Sequence, residues 1–377
     1  MKKWRMPVPS GGYAVGTSTY TIKDDRPEKL AAGMRSIASR VYYPVLKESA
    51  AGLKKARYLS RDMAEKLNMP LVLPVNYDKL EASGNNVSEC YENAPPVPGM
   101  KFPLIMFSAG YGSYREGNSC LCIELASHGY VVISVSHSLE YMCTEFDDGS
   151  KVFYDKSISK KTYDPYLAGT IGAMKISRMK GSPGEIADKF DEFQFRYSRF
   201  MVGRLEEWKK DTVSSLDYAR KNLSGMIDFD CGVGAAGHSF GGDTAYGLCV
   251  DHPDFVCGIN MDGALFGDYR NTVLKTPFMQ ISCGSNEHIV SRVYLHHTKD
   301  VYKVLFRGMT HVGFSDMKFQ IPIKMMTGSL DPDVLHETLC RCHLEFFDAF
   351  LAHRKPAPQL QSSEAAAVTV FPPDTGL

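Results

Sequence analysis

Three side-chain types could do chemistry together in this chain: a serine in a glycine-framed turn, histidines downstream of it, and an aspartate between them. The serine is Ser239, at the centre of Gly237-His238-Ser239-Phe240-Gly241. A small-residue run, Val233 to Ala236, precedes it, and a helix is expected over Asp243 to Asp251. Strand, sharp turn and helix with serine at the apex make a nucleophile elbow. Gly237 and Gly241 supply the positions where a Cβ would clash in so tight a turn. A serine hydroxyl is a weak nucleophile at neutral pH. It needs a base to take its proton and an acid to orient that base.

The candidate bases are His288, His296, His297, His311, His336 and His343. His311 is preferred because it follows an apolar strand, Val301 to Phe306, and a turn, Arg307 to Thr310, that can aim an imidazole over the end of a sheet. His288, His296 and His297 are expected on one helix, and His336 and His343 on the last helix. Asp262 follows another buried run, Val256 to Asn260, and is the preferred acid. Asp268 is the runner-up, and Asp316 lies too near His311. The order Ser239, Asp262, His311 is the one that α/β-hydrolases use. An acyl-transfer site also needs donors for a developing oxyanion. The Phe240 N–H is one candidate, and the Tyr111 N–H, in Ser108-Ala109-Gly110-Tyr111-Gly112, is the other.

The elements that would position these groups are legible as apolar runs. Phe102 to Phe107 and Tyr130 to Val135 read as strands buried on both faces, joined by a helix over Ser119 to His128. The elbow strand, Phe255 to Asn260, Pro277 to Ser282 and Val301 to Phe306 continue the alternation, which predicts a parallel sheet covered by helices. Tyr13 to Lys23 and Ser36 to Val45 read as two further strands, Arg61 to Asn68 as a short helix, and Asp333 to His353 as a closing amphipathic helix. The fold expected is therefore an α/β-hydrolase within residues 1–354. Residues 138–227 form an insertion, and the tail 355–377, rich in Pro, Ser and Ala, is expected to be poorly ordered. Within the insertion Phe190, Phe193, Tyr197, Met201, Leu205 and Trp208 recur at helical spacing. They read as core packed on the sheet, with a cap over the active site drawn from Met142 to Met179 as the alternative, and aromatic and Met residues in Tyr141 to Met179 are expected to line an apolar pocket for the acyl group.

Composition narrows the function. The chain has 377 residues, 44% hydrophobic and 23% charged, with 43 basic and 43 acidic side chains. Zero net charge gives no reason to expect a nucleic-acid partner. No apolar run is long enough for a membrane-spanning helix. Pro7, Pro9, Gly11 and Gly12 break the N-terminal stretch, so no signal peptide is read and a cytoplasmic location is expected. The ten cysteines are scattered, mostly in apolar runs, and are expected to be buried free thiols. Cys120-Leu121-Cys122 and Cys340-Arg341-Cys342 match zinc spacing poorly, and neither a metal nor an organic cofactor is expected. Asn86-Val87-Ser88 and Asn222-Leu223-Ser224 are glycosylation sequons that would matter only in a secreted chain.

Three further stretches carry a family resemblance. Phe107 to Arg115, Leu125 to Val132 and Gly237 to Gly242 resemble the plasma-type platelet-activating-factor acetylhydrolases, calcium-independent serine esterases of α/β-hydrolase fold, and their bacterial relatives. Gly12 to Gly16, Arg40 to Pro44, Met261 to Gly263 and Thr310 to Asp316 are similar to the same family. The likeness spans roughly Gly12 to His353, although Ala109-Gly110 stands where the family often has His-Gly. It implies Ser239 as nucleophile, Asp262 as orienter, His311 as base, and Tyr111 and Phe240 as oxyanion donors. The reading is a hydrolase of short- or medium-acyl esters, with platelet-activating-factor-like or oxidised phospholipids among the substrates implied. An amidase or acyltransferase using the same triad, and a non-catalytic binding module on a hydrolase scaffold, are the alternatives.

Overall fold

The computed structural model describes residues 6–68, 75–284, 286–320 and 323–374. Met1 to Arg5, on which part of the N-terminal reading rests, and the last three residues of the tail lie outside them.

The long apolar runs become the centre of an 11-stranded sheet. Its strands are β1 (Ala14–Pro27), β2 (Met34–Val45), β3 (Lys55–Arg57), β4 (Val87–Glu92), β5 (Phe102–Ser108), β6 (Val131–Ser136), β9 (Ile227–His238), β10 (Phe255–Met261), β11 (Phe278–Cys283), β12 (Val301–Phe306) and β13 (Ala366–Phe371), while β7 (Cys143–Glu145) and β8 (Lys151–Phe153) pair as a separate ribbon. The sheet order is β13-β12-β11-β10-β9-β5-β6-β2-β1-β4-β3. From β6 through β12 neighbours run parallel. β2 joins β6 antiparallel and carries β1 as a hairpin. β6 and β11 are buried at every residue, as strands covered on both faces must be.

Helices cover the sheet. Ser119–Ser127, the elbow helix Phe240–Asp251 and the closing helix Pro332–Phe350 fall where the sequence places them. The closing helix starts where Asp331 accepts hydrogen bonds from the Asp333 and Val334 amides, with Pro332 in its first turn.

Two expectations are corrected. The tail is not unstructured throughout: Ala366–Phe371 pairs antiparallel with β12 as the edge strand. The run Ala-Val-Thr-Val-Phe has the β-branched pattern a ladder favours, and its Pro- and Ser-rich approach had obscured it. The aromatic stripe in the insertion does not form one core surface. Helix Pro183–Tyr197, begun by a capping box between Ser182 and Glu185, ends at Ser198, and helix Arg199–Asn222 begins on the far side. Met201, Leu205 and Trp208 join the main core. Phe190 and Phe193 instead form a small cluster with Ile176 of helix Tyr166–Ile176, packed against Tyr163, Ala264, Phe266 and Ile289. Ala264 and Ile289 follow Asp262 and Asn286 closely, so this cluster sits beside the acid loop. No described helix is long and apolar enough to cross a membrane.

Candidate active site

The elbow is built where β9 ends. Ser239 has φ 58° and ψ −125°, a conformation that costs a non-glycine residue about 1–3 kcal/mol and persists only when its surroundings enforce it. They do: the Ser239 N–H donates to the Met261 carbonyl at 2.8 Å, and the Ser239 carbonyl accepts from Gly242 N–H at 2.9 Å. A Cβ on Gly241 would collide with the Ser108 carbonyl, and one on Gly237 with the Gly241 backbone. The turn therefore closes only with glycine at both positions.

The sheet brings the distant residues together. His311 Nε2 is 2.8 Å from Ser239 Oγ, and His311 Nδ1 is 2.7 Å from Asp262 Oδ2. With Nδ1–H donating to the carboxylate, Nε2 is bare and accepts the serine proton. Asp262 is fully buried, whereas the His311 side chain is 37% exposed. Asp262 lies at the end of β10 with φ 60°. Its Oδ1 accepts from the Cys283 N–H at 2.9 Å, and its Oδ2 also accepts from Asn286 Nδ2 at 2.7 Å.

The other candidates lie apart. Asp268 is exposed and pairs with Arg270. Asp316 is buried and accepts from Ser119 Oγ at 2.7 Å and from the Cys120 amide, and burial raises its carboxyl to about 6. His288 lies on a 3-10 segment, Glu287–Tyr294, but His296 and His297 fall beyond it, contrary to the single helix expected. His297 Nδ1 faces the Lys299 carbonyl, and His343 Nδ1 the Leu339 carbonyl.

The oxyanion loop crosses directly over the nucleophile, so that a Cβ on Gly110 would stand 2.9 Å from Ser239 Cβ. Its neighbours are hydrogen-bonded. Ser113 N–H donates to Gly110 O at 3.0 Å, Gly112 N–H to Glu140 O at 2.8 Å, and Tyr141 O–H to Ala109 O at 3.3 Å. The Tyr111 N–H has no protein partner among the described residues. The Phe240 N–H opens a helix, where no intrahelical acceptor exists. The two rings meet edge to face, 5.8 Å apart. Two unengaged amides thus flank Ser239, as an oxyanion requires.

Sequence reasoning missed three groups here. His238 sits under the base: its Nε2–H donates to the His311 carbonyl at 2.9 Å and its ring lies 4.8 Å from the imidazole of His311. Burial, then the nearby His311, pushes it down to about 3, and its hydrogen bond supports the backbone of the base. Its place inside the elbow motif was the available signal. Asn286 touches both Asp262 and His311, at 2.7 and 3.1 Å, from a loop with no periodic pattern. Asp243, in the elbow helix, accepts from the Phe266 N–H at 2.9 Å and ties that helix to the acid loop, and burial holds its carboxyl well above the usual range.

The expected acyl pocket is redistributed. Tyr154 packs on Tyr111 and Tyr141 on Trp208, but Ile171, Ile176 and Met179 line a groove between helices Tyr166–Ile176 and Pro183–Tyr197 that Ser239 does not share. Tyr111 and Phe240, the two oxyanion candidates, join Trp208 and Phe266 in one ring set, each ring within 6.1 Å of a neighbour.

Comparison with known proteins shows the family and the fold. The family model for platelet-activating factor acetylhydrolase, isoform II, matches residues 1–157 and 203–365. The stretch between them carries helices Tyr166–Ile176 and Pro183–Tyr197. Platelet-activating factor acetylhydrolases of Cavia porcellus and Canis lupus familiaris are each 25% identical to this chain over 281 and 292 residues. The Bos taurus protein is 26% identical over 290. Each match takes in 72% of this chain but 62% of the relative's length. A ferulic acid esterase from Streptomyces cinnamoneus superposes with a TM-score of 0.68, covering 97% of this chain and 98% of that one at 21% identity, which shows a shared α/β-hydrolase fold.

Proposed function

This chain belongs to the platelet-activating factor acetylhydrolase, isoform II, family, and on that premise we propose that it hydrolyses carboxylic esters through an acyl-enzyme on Ser239. The observation that carries the reading is one unbroken path, Ser239 Oγ to His311 Nε2 at 2.8 Å and His311 Nδ1 to Asp262 Oδ2 at 2.7 Å, beside two unengaged amides.

The chemistry follows from the geometry. Substrate ester carbonyl carbon meets Ser239 Oγ as His311 Nε2 takes the hydroxyl proton. The carbonyl oxygen gains the negative charge and is held by the Tyr111 and Phe240 amides. Asp262 keeps Nδ1 protonated and stabilises the imidazolium. His311 then gives its proton to the leaving alkoxide, which departs as alcohol. A water attacks the acyl-enzyme with His311 again as base, and the acid is released. No step calls for a metal or an organic cofactor.

The substrate class proposed is short- to medium-acyl esters, including platelet-activating-factor-like or oxidised phospholipids. The ring set of Tyr111, Trp208, Phe240 and Phe266 supplies a small apolar wall suited to such an acyl group. The same triad would serve an amidase or acyltransferase, and the leaving group and acceptor decide between them. Residues 1–354, with the β13 edge strand added, are proposed as a single catalytic domain.

The test is labelling by a fluorophosphonate together with turnover of a p-nitrophenyl ester series from acetyl to decanoyl, against matched anilides and added alcohols. Stoichiometric labelling of Ser239 with faster cleavage of short esters is expected. A folded protein that neither labels nor turns over would make it a binding module. Preferential cleavage of anilides, or diversion of product to alcohols, would make it an amidase or a transferase.

A further inference from the structure

Behind the oxyanion loop lies a second hydroxyl–imidazole–carboxylate chain. Ser108, the last residue of β5, places Oγ 3.1 Å from His137 Nε2, and His137 Nδ1 is 2.9 Å from Asp211 Oδ2. All three are buried. Asp211 is also held by Arg35, through Nη2 at 2.5 Å and Nε at 3.1 Å, and by Arg26 at 2.8 Å. Arg204 grips Glu140 with two hydrogen bonds of 2.8 and 2.6 Å, and Arg35 approaches the same carboxylate at 3.4 Å. Ser108 begins the oxyanion loop, and Glu140 and Tyr141 are the residues whose backbone carbonyl and side-chain hydroxyl hold Gly112 and Ala109. The His137 ring also stacks on Trp208 at 3.7 Å and 9°, and Trp208 lies 4.8 Å from the Phe240 ring and 6.1 Å from that of Tyr111.

These contacts converge on the two residues whose amides flank the nucleophile. With Nδ1–H given to Asp211, His137 Nε2 can only accept, so the Ser108 hydroxyl donates to it and fixes the start of the loop. Arg35 and Arg204 fix the other side through Asp211 and Glu140. We propose that Ser108, His137 and Asp211 are positioning residues that set the Tyr111 amide against the oxyanion. This rests on the serine-hydrolase reading above. They touch no reacting atom. Their effect is on transition-state binding, because an oxyanion forms only after attack.

The experiment compares Ser108→Ala, Ser108→Thr and His137→Gln with the wild type on p-nitrophenyl butyrate, and measures binding of a trifluoromethyl ketone, whose hydrate-like adduct on Ser239 puts an oxyanion in the hole. Losing a whole oxyanion donor lowers kcat about 10²- to 10³-fold, and loosening one should lower it about 10-fold in Ser108→Ala. Ketone affinity is expected to fall by the same factor, with KM within about 2-fold and the pH midpoint of kcat/KM unmoved. Ser108→Thr keeps a hydroxyl and should restore most of the loss, while His137→Gln should repeat the pattern. The proposal is overturned if Ser108→Ala keeps kcat and ketone affinity at wild-type values. It is equally overturned if melting temperature falls without any change in kcat relative to KM, or if Ser108→Thr is no better than Ser108→Ala. Should His137→Gln not fold, the Ser108 pair decides alone. A wild type that is not labelled by fluorophosphonate fails the hydrolase reading itself, which these comparisons within an active enzyme do not address.

Discussion

Ser239, His311 and Asp262 share their order of hydrogen bonds with Ser108, His137 and Asp211, and their serines end neighbouring strands, where Ser108 is paired with Gly237. What surrounds each imidazole separates them. The His311 side chain is 37% exposed, and its carboxylate partner is otherwise held by an amide N–H, an asparagine and a thiol, none of them charged. A proton arriving on His311 therefore meets a carboxylate free to balance it. His137 has no exposure and lies flat on Trp208, and Asp211 already balances Arg35 and Arg26. Burial first, opposed by its bond to Asp211, takes His137 down to about 4. It cannot hold a proton near neutral pH, so its serine cannot be deprotonated by it. The same three functional groups are chemical in one place and mechanical in the other. The difference is how deeply the imidazole is buried and how much charge its carboxylate already balances.

The contrast is sharpest in the serines. Ser239→Ala should reduce kcat by about 10⁶-fold, as removal of the nucleophile does in serine hydrolases. That is some five orders of magnitude more than the factor of about 10 argued for Ser108→Ala. Comparable losses in the two variants would erase the distinction. Asp262→Asn should lower kcat by about 10⁴-fold, because an amide there favours the wrong tautomer of His311. Steady-state kinetics on one activated ester reads both.

In stability the ranking should invert. Asp211→Ala takes from Arg35, a side chain only 1% exposed, the closest of its three carboxylates and leaves it Glu28 at 2.6 Å and Glu140 at 3.4 Å, so the loss should fall at or below the ~3–5 kcal/mol typical of breaking a buried ion pair. Ser239→Ala removes a hydroxyl while the strained backbone turn stays as it is, and should leave the urea midpoint nearly unchanged. The pH dependence carries the same signature. His137 and His343 are depressed to about 4 and His238 to about 3, all by burial foremost. Unfolded histidine titrates near 6.5, so below that pH the unfolded chain binds more protons than the folded one. Their stabilisation is complete above pH 6.5 and is lost as pH falls toward 4 and then 3. Asp316, raised to about 6, acts oppositely and is less stabilising above that pH. Asp243, Glu140 and Asp191, also raised by burial, act in the same direction as Asp316, so the slope between pH 6.5 and 4 is a balance of the two sets. His137→Gln should remove one histidine's share of that slope, so the variant should lose less stability than the wild type between pH 7 and pH 4.5 in urea unfolding. An unaltered slope would mean that His137 is not a buried neutral imidazole.

The exposed chain was legible in the sequence and the buried one was not, and the reason is physical. Elbow and acid end continuous apolar runs and the base follows one across the turn Arg307 to Thr310, so their places at one sheet edge follow from strand order. The glycines of the elbow are there because the turn leaves no volume for a Cβ, a constraint written in one pentapeptide. Arg35, His137, Glu140, Arg204 and Asp211 come from β2, from the turn after β6 and from helix Arg199–Asn222. In sequence each is a charge among other charges, and only the fold makes them one cluster. The stripe Phe190 to Trp208 shows the same limit. Its helical period was real, but the break at Ser198 divides it between the insertion's own cluster and the main core, and no single residue type there announces a break.

Asn286 offers the finest division between the two chains. It is the neutral donor that occupies, beside Asp262, the place that Arg35 takes beside Asp211. Its Nδ2 donates to Asp262 Oδ2 at 2.7 Å, the same oxygen that accepts the hydrogen bond from His311 Nδ1. A hydrogen bond to a carboxylate is worth about 1.5–3 kcal/mol net, so at the lower end Asn286→Ala should lower kcat/KM about 10-fold. Removing a donor from the carboxylate leaves more of its charge for the imidazole, so the pH midpoint governing kcat/KM should rise slightly in this variant. Asn286→Lys would instead put a cation where the buried chain has its arginine. If charge on the acid is what silences His137, that variant should lose far more activity than Asn286→Ala and should move the midpoint down. Equal activity in the two variants, with no shift between their pH profiles, would mean that burial alone, and not the charge held by the carboxylate, separates the chain that reacts from the chain that holds.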